Sequence, residues 1–386
     1  MTWLGFILLA VPAAVALATT LYNLSIWPRG APDRNLEGVS VLVPARNEID
    51  TIEACLRAIL ESHVDEVVVC DDGSDDGTRG MVDALADAHS GLSVVETGRL
   101  PEGWVGKPNA CRRLADEADG EILVFVDADT IVADDGLERL VSLLDVPDDR
   151  AAAMASAVPR QQVGSIAERL VLPLLYVTYT SWLPLSLVWR SSDPRFVAAN
   201  GQLMALRRDA LADIGGFSAV RDAVVDDVEL AAAFKEAGHR VVFGDGLQMA
   251  RCRMYDGFGE LWDGFSKNIY EGLGESPFLL AGVSILYLSA FVLPYACVGA
   301  WLVGVVGTET GLAAAAGTAC NVVLRGTLAL THDHPLEGPV TQPVGVLLLV
   351  AIAWNSMRRS RRGEIEWAGR TYESRASRGP AGESEP

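Results

Sequence analysis

Glu121-Ile122-Leu123-Val124-Phe125-Val126-Asp127-Ala128-Asp129 sets the reading of this chain: a run of apolar, partly β-branched residues ends in two carboxylates spaced two apart. Such a run reads as a buried strand of a parallel sheet. Where the strand gives way to a loop, Asp127 and Asp129 can turn towards a common point. Two carboxylates there suit Mg²⁺ or Mn²⁺, hard cations that bridge to phosphate oxygens. Taken alone the pair is a weak signal, and solvated loop acids or a helix N-cap account for it better.

The preceding residues strengthen the strand. Val39–Pro44 reads as a strand, Glu48–Leu60 as a helix with Ile49, Ile52, Leu56, Ile59 and Leu60 on one face, and Glu66–Cys70 as the next strand. A helix at Arg79–His89, a strand at Leu92–Glu96, a helix at Asn109–Glu117 and the strand Glu121–Val126 continue the alternation. This is βαβ spacing, so an α/β fold with a Rossmann-like, mostly parallel sheet is expected over residues 38–275. Ligands of such sheets sit at the carboxyl ends of the strands. Arg46-Asn47-Glu48, Asp71-Asp72-Gly73-Ser74 and Asp127-Ala128-Asp129 all fall there.

Asp71 and Asp72 can accept hydrogen bonds from a nucleobase or ribose, or merely form an Asx-turn. Lys107, before a helix, can pair with a phosphate or be a solvated surface lysine. Asp226 and Asp227 open a helix, where acids are favourable without any function. Their adjacency would also raise a carboxylate pKa towards that of a general base. Arg251, Arg253 and Lys267 would hold a diphosphate or close a loop over it, or be helix-surface charge.

As a set these motifs resemble the family 2 glycosyltransferases of the GT-A fold. The matching residues are Val43-Pro44-Ala45-Arg46-Asn47-Glu48, Asp71-Asp72-Gly73-Ser74-Asp75-Asp76-Gly77-Thr78, Gly106-Lys107, Asp127-Ala128-Asp129, Gly215-Gly216-Phe217 and Asp226-Asp227, in the family's order. The resemblance implies that Pro44, Arg46, Glu48, Asp71, Asp72, Lys107 and Asp127 line a nucleotide site. It also implies that Asp129, supported by Asp127, ligates Mg²⁺ or Mn²⁺, and that Asp227 is the base of an inverting transfer. Asp226 stands where the family has Glu, which touches the pKa of the pair more than the role of Asp227. A narrower likeness, through Trp104-Val105-Gly106-Lys107, Arg253-Met254-Tyr255, Gly264-Phe265-Ser266-Lys267-Asn268 and Trp367-Ala368-Gly369-Arg370-Thr371-Tyr372, is to the branch that glycosylates carotenoids and similar isoprenoid lipids, including hopanoid-associated members. Processive synthases carry Gln-x-x-Arg-Trp where this chain has Arg251-Cys252-Arg253-Met254-Tyr255. The implied partners are a nucleotide-diphosphate sugar and a membrane lipid acceptor. Polyprenyl-phosphate sugar synthesis and non-catalytic sugar-nucleotide binding are the alternatives.

The flanks are apolar. Residues 1–27 carry no charged side chain and read as an N-terminal transmembrane anchor rather than a signal peptide, because nothing basic precedes the run. Residues 278–357 read as two or three membrane segments, the one holding Arg325 being the candidate for an interfacial or re-entrant piece. Residues 166–188, broken by Pro173 and Pro184, read as an interfacial helix or an ordinary core helix, and residues 358–386 as a basic and then disordered tail. Arg29, Arg34, Arg358, Arg359, Arg361 and Arg362 place both flanks, and with them the catalytic domain, on the cytoplasmic face.

The 31 basic and 51 acidic residues leave a net charge of -20, which disfavours nucleic acid as a partner. The six cysteines form no metal-ligand spacing and suit buried positions in a reducing compartment. The only lysines are Lys107, Lys235 and Lys267, and an acidic, lysine-poor, alanine-rich chain is what a halophilic protein needs in very high salt, with codon bias as the competing account. The halophilic reading predicts a higher melting temperature in molar salt than in dilute buffer; equal melting temperatures would sink it.

Overall fold

A computed structural model describes residues 8–145, 151–363, 365–367 and 370–372. The N-terminal seven residues, Ala368-Gly369 of the late motif and the tail after Tyr372 lie outside the described residues. The described chain divides into an α/β unit within residues 26–162 and 185–254 and a helical unit within residues 1–25, 163–184 and 255–386.

In chain order, α1 (Val11–Ile26) precedes β1 (Val39–Ala45), α2 (Ile52–Glu61), β2 (Glu66–Asp71), α3 (Thr78–Ala88), β3 (Leu92–Glu96) and α4 (Gly106–Glu117). Then come β4 (Ile122–Val126), β5 (Thr130–Val132), α5 (Gly136–Ser142) and β6 (Met154–Gln161). Two short helices follow, α6 (Ile166–Val171) and α7 (Pro173–Ser181), then α8 (Ser186–Arg190), β7 (Leu203–Arg207), α9 (Arg208–Asp213), α10 (Asp226–Glu236) and β8 (Val241–Cys252). The remainder is α11 (Phe258–Gly272), α12 (Pro277–Phe291), α13 (Leu293–Leu302), α14 (Thr308–Thr331), α15 (Gly338–Arg361) and the antiparallel pair β9 (Ile365–Trp367) and β10 (Arg370–Tyr372).

Strands β1 to β8 form one sheet in the order β3-β2-β1-β4-β7-β6-β8-β5. The expected parallel portion is β3-β2-β1-β4. Val41, Leu42 and Val43 of β1 and Leu123 and Val124 of β4 have no exposed surface, as the continuous apolar runs of a sheet covered on both faces require. Beyond β4 the sheet is mixed: β7 runs antiparallel to β4 and β6, β8 parallel to β6, and β5 antiparallel to β8. Helix α2 starts at Ile52 rather than Glu48, because Asn47 takes a left-handed φ of 57° and Glu48 remains in the loop, its carbonyl accepting from Thr51 and Ile52 N–H. Pairing of β1 with β2 and β4 sets Ala45 beside Asp71 and Leu42 beside Phe125, so the three polar loops leave neighbouring strand ends.

In the helical unit, α14 and α15 each have 24 residues and are, by length and composition, the two described helices able to cross a membrane alone. Arg325 lies in α14, and the stretch from Phe278 onward folds as two helices, α12 and α13. Helices α11 and α12 would make a third span only as a pair bent by 115°. Helix α1, with 16 residues, extends about 24 Å at 1.5 Å per residue, short of the ~30 Å hydrocarbon core. It is tied to α7 by polar contacts: Asn23 Nδ2 donates to Thr180 O at 2.8 Å and Leu183 O at 2.7 Å, and Thr20 Oγ1 lies 3.1 Å from Ser181 Oγ.

Candidate active site

The loop after β1 is clamped to the loop after β2. Asn47 N–H donates to Ser74 Oγ (3.0 Å), Glu48 N–H to Thr78 Oγ1 (2.8 Å) and Asp75 N–H to Asn47 Oδ1 (3.0 Å). Arg46 donates to Asp72 O, and its guanidinium lies 3.9 Å from the Asp72 carboxylate. Asp72 is buried and also accepts from Thr97 Oγ1 at 2.7 Å, while Asp71 accepts from Ser74 N–H at 3.3 Å. Pro44 pairs in the sheet with Cys70, just inside these loops.

Beside this pair of loops lies a charge cluster centred on Lys107. Its Nζ is 2.7 Å from Asp127 Oδ1 and 2.9 Å from Oδ2. Burial would lower the lysine pKa, but the Asp127 and Asp226 carboxylates push it well above the usual range, so the ammonium stays charged. The approach is set by backbone: Val105 N–H donates to Arg221 O (2.8 Å), joining the loop before α4 to the one before α10. Gly201 leaves the room, since a Cβ there would lie 3.2 Å from Lys107 Nζ and 3.5 Å from Asp227 Cβ.

Asp226 is buried and its Oδ2 has no hydrogen-bond partner among the described residues. Burial above all, opposed by Lys107 and reinforced by Asp227 and Asp127, raises its pKa to about 7. Asp227 is less buried and accepts from Val228 N–H at 2.9 Å; burial likewise raises its pKa, with Lys107 pulling it down. Asp129, half-buried, is raised to about 6 by burial and Asp127, against hydrogen bonds from Cys252 and Thr130. Glu48 is raised to about 7, by burial first and then by Asp129 and Asp127. These shifts describe more negative charge than Lys107 neutralises.

That excess is the observation bearing on a metal. Asp127 and Asp129 offer hard carboxylate oxygens, and a divalent cation would offset the burial and, after it, the repulsion that raise Asp129 and Glu48. Among the described residues no three His, Cys, Asp or Glu side chains gather as a metal cluster.

The other expected residues are placed more simply. Arg251 and Arg253 are exposed at the end of β8, Arg251 in register with Ile131, while Lys267 belongs to the helical unit. Phe217 of Gly215-Gly216-Phe217 packs edge-on to Phe125 of β4 with centroids 5.2 Å apart. A second polar group, not singled out from the sequence, lies beside the acids. Asp127 N–H donates to Gln202 O (3.1 Å), Gln202 Nε2 to Cys252 Sγ (2.8 Å) and Gln161 Nε2 to Gln202 Oε1 (2.9 Å). Its one visible signal is Asn200-Gly201-Gln202, a polar interruption just before the apolar run that forms β7.

Residues 40–215 match the family described as Glycosyl transferase family 2. A 4,4'-diaponeurosporenoate glycosyltransferase of Staphylococcus aureus (strain MRSA252) is 24% identical over 394 aligned residues, covering 96% of this chain and 98% of that protein. The relative from strain bovine RF122 / ET3-1, of the same name, is also 24% identical over the same span. Among solved structures, the mannosyltransferase PcManGT from Pyrobaculum calidifontis, in complex with GDP-Man and Mn²⁺, aligns over 89% of this chain and 99% of its own with a TM-score of 0.51 and 22% identity, a likeness of fold.

Lys107→Met would leave Asp127 and Asp226 without their shared counter-ion. We expect a loss of about 3–5 kcal/mol at pH 8, measured by denaturant unfolding, and a smaller loss at pH 5.5, where raised carboxylates such as Asp226, at about 7, are protonated and need no partner. Adding Asp226→Asn should restore part of the loss at pH 8. Equal losses at both pH values would refute the charge account.

Proposed function

This chain carries a family 2 glycosyltransferase domain of the GT-A fold, and on that premise we propose that it moves a sugar from a nucleoside-diphosphate donor to a carotenoid-like membrane lipid, with inversion at the anomeric carbon. The observation that carries the reading is the convergence of Asp127, Asp226 and Asp227 around Lys107 beside the Arg46–Asp72 loops: polar loops next to carboxylates poised to take a proton.

Arg46, Glu48, Asp71 and Asp72 line the nucleoside end, where carboxylates accept from base or ribose. Asp127 and Asp129 would hold Mg²⁺ or Mn²⁺, which when bound supplies positive charge against the leaving diphosphate. Lys107 holds Asp127 and Asp226 in place. Asp227 is more exposed than Asp226 and is oriented by hydrogen bonds from the Val228 and Gly201 backbone, so it is the carboxylate suited to reach an acceptor. The acceptor oxygen bonds to the anomeric carbon as the bond to the diphosphate breaks, and the hydroxyl proton passes to Asp227. A carboxylate acceptor, of the kind named in the Staphylococcus aureus relatives, arrives already ionised and has no proton to give. Support for a lipid comes from the helical unit, which holds a cavity of about 320 Å³ lined by apolar side chains including Leu175, Phe265, Leu280, Val283 and Leu349. The basic end of α15 at Arg358, Arg359 and Arg361 supports a cytoplasmic face for the catalytic domain.

With purified protein, Mn²⁺ and labelled nucleotide sugars, Asp129→Ala should abolish transfer. Asp227→Asn should lower kcat by about 10²–10⁴ for a hydroxyl acceptor and far less for a carboxylate. With a hydroxyl acceptor, activity should fall, as pH drops, at a pH above the ~4 of a free aspartate, because burial raises the Asp227 carboxyl. Full activity in both variants would remove the enzymatic reading, and the mass of the lipid product separates a glycosylated carotenoid from a polyprenyl-phosphate sugar.

A further inference from the structure

Within the helical unit a polar cluster lies where α14 turns into α15. Arg325, near the end of α14, is 1% exposed and donates from Nη1 to Pro173 O at 3.3 Å. Its Nε has no partner, and among the described residues no carboxylate pairs with its guanidinium. The guanidinium lies against the first turn of α15, since a Cβ at Gly338 would fall 2.6 Å from Arg325 Nη2. Gln342, one turn further along the same face, is 2% exposed, and neither its Oε1 nor its Nε2 has a partner. Helical side chains lean towards the N-terminus, so Gln342 leans back to the Arg325 side. His334, in the connecting loop and 8% exposed, has an unpartnered Nδ1 and stacks edge-on to Tyr176 of α7 with centroids 4.6 Å apart. Burial, and then the Arg325 charge, push the His334 pKa down, so its ring is neutral and Arg325 is the cluster's one charged member.

A lone cation in a helix long enough to span a bilayer is costly unless something anionic meets it. Here two donors, Arg325 Nε and Gln342 Nε2, have no partner among the described residues, at the first turn of a 24-residue helix. That chemistry selects an oxyanion. Position selects its source: with α14 and α15 read as spans, the cluster sits at the end of α15 opposite Arg358, twenty residues away, about 30 Å at 1.5 Å per residue. That distance is one hydrocarbon thickness, which puts the cluster at headgroup depth. We propose that Arg325, Gln342 and His334, beside the first turn of α15, form a binding site for the phosphate or carboxylate headgroup of a membrane lipid.

The full chain in phosphatidylcholine nanodiscs is melted with added phosphatidylglycerol, with oleate, and separately with inorganic phosphate. Phosphatidylglycerol or oleate should raise the melting temperature by a few degrees, and Arg325→Gln should abolish the rise. Gln342→Glu places a carboxylate of the protein's own beside Arg325, and it should remain folded while losing the lipid response; it decides the matter if Arg325→Gln does not fold. A rise with inorganic phosphate equal to that with phosphatidylglycerol would keep the anion site and overturn its assignment to lipid. No preference over phosphatidylcholine, or an undiminished response in Gln342→Glu, would overturn the site. Sugar transfer is not part of the readout, so the proposal stands or falls apart from the catalytic one.

Discussion

Lys107 stands among carboxylates that reach it from separate parts of the chain, and its charge is what allows them to share a largely buried place: Asp127 at 2.7 Å from the end of β4, with Asp226 and Asp227 from the start of α10. The balance is incomplete. One ammonium faces several acids, and the remainder adds to burial in raising the pKa values of Asp226, Asp227, Asp129 and Glu48. The same imbalance serves two ends, since a site short of positive charge favours a cation at Asp127 and Asp129, and a carboxylate that ionises near neutrality is a better proton acceptor than one that ionises at ~4.

Holding that imbalance requires rigid backbone on every side. Parallel pairing of β2, β1 and β4 brings three loop starts together, and the β1 and β2 loops exchange hydrogen bonds through Asn47, Ser74 and Thr78. From the other half of the sheet, antiparallel β7 delivers Gln202 to Asp127, and β8 delivers Cys252 to Asp129 and Gln202. Weakening either half would loosen the acids without touching them.

The helical unit shows a contrasting arrangement, with polar groups set among apolar ones. Asn23 and Thr20 of α1 find partners around α7, so their burial is compensated. Arg325 and Gln342 are not compensated in that way. From the sequence, the stretch holding Arg325 is the candidate for an interfacial or re-entrant piece; by length and composition α14 is one of the two long apolar helices described, with Arg325 at 1% exposure.

Short-range patterns carried much of the fold. Apolar runs such as Val39–Pro44 and Ile122–Val126, and the face made by Ile52, Leu56 and Ile59, announce strands and a helix because neighbouring residues alone set those periodicities. The Arg46, Asp71 and Asp127 loops were legible for the same reason: each polar motif directly follows its strand. What the sequence by itself determined is thus the parallel half of the sheet and the list of acids at its edge. Tertiary structure alone decided the mixed half, because β6, β7 and β8 pair across long separations and β6 and β8 mix polar residues, Pro or Gly into their apolar runs. It also decided that Lys107 meets Asp127 and Asp226 rather than solvent, and so which carboxylates keep their protons near neutrality, since a pKa depends on burial and on charges brought close by folding, neither of which is written in the spacing of residues.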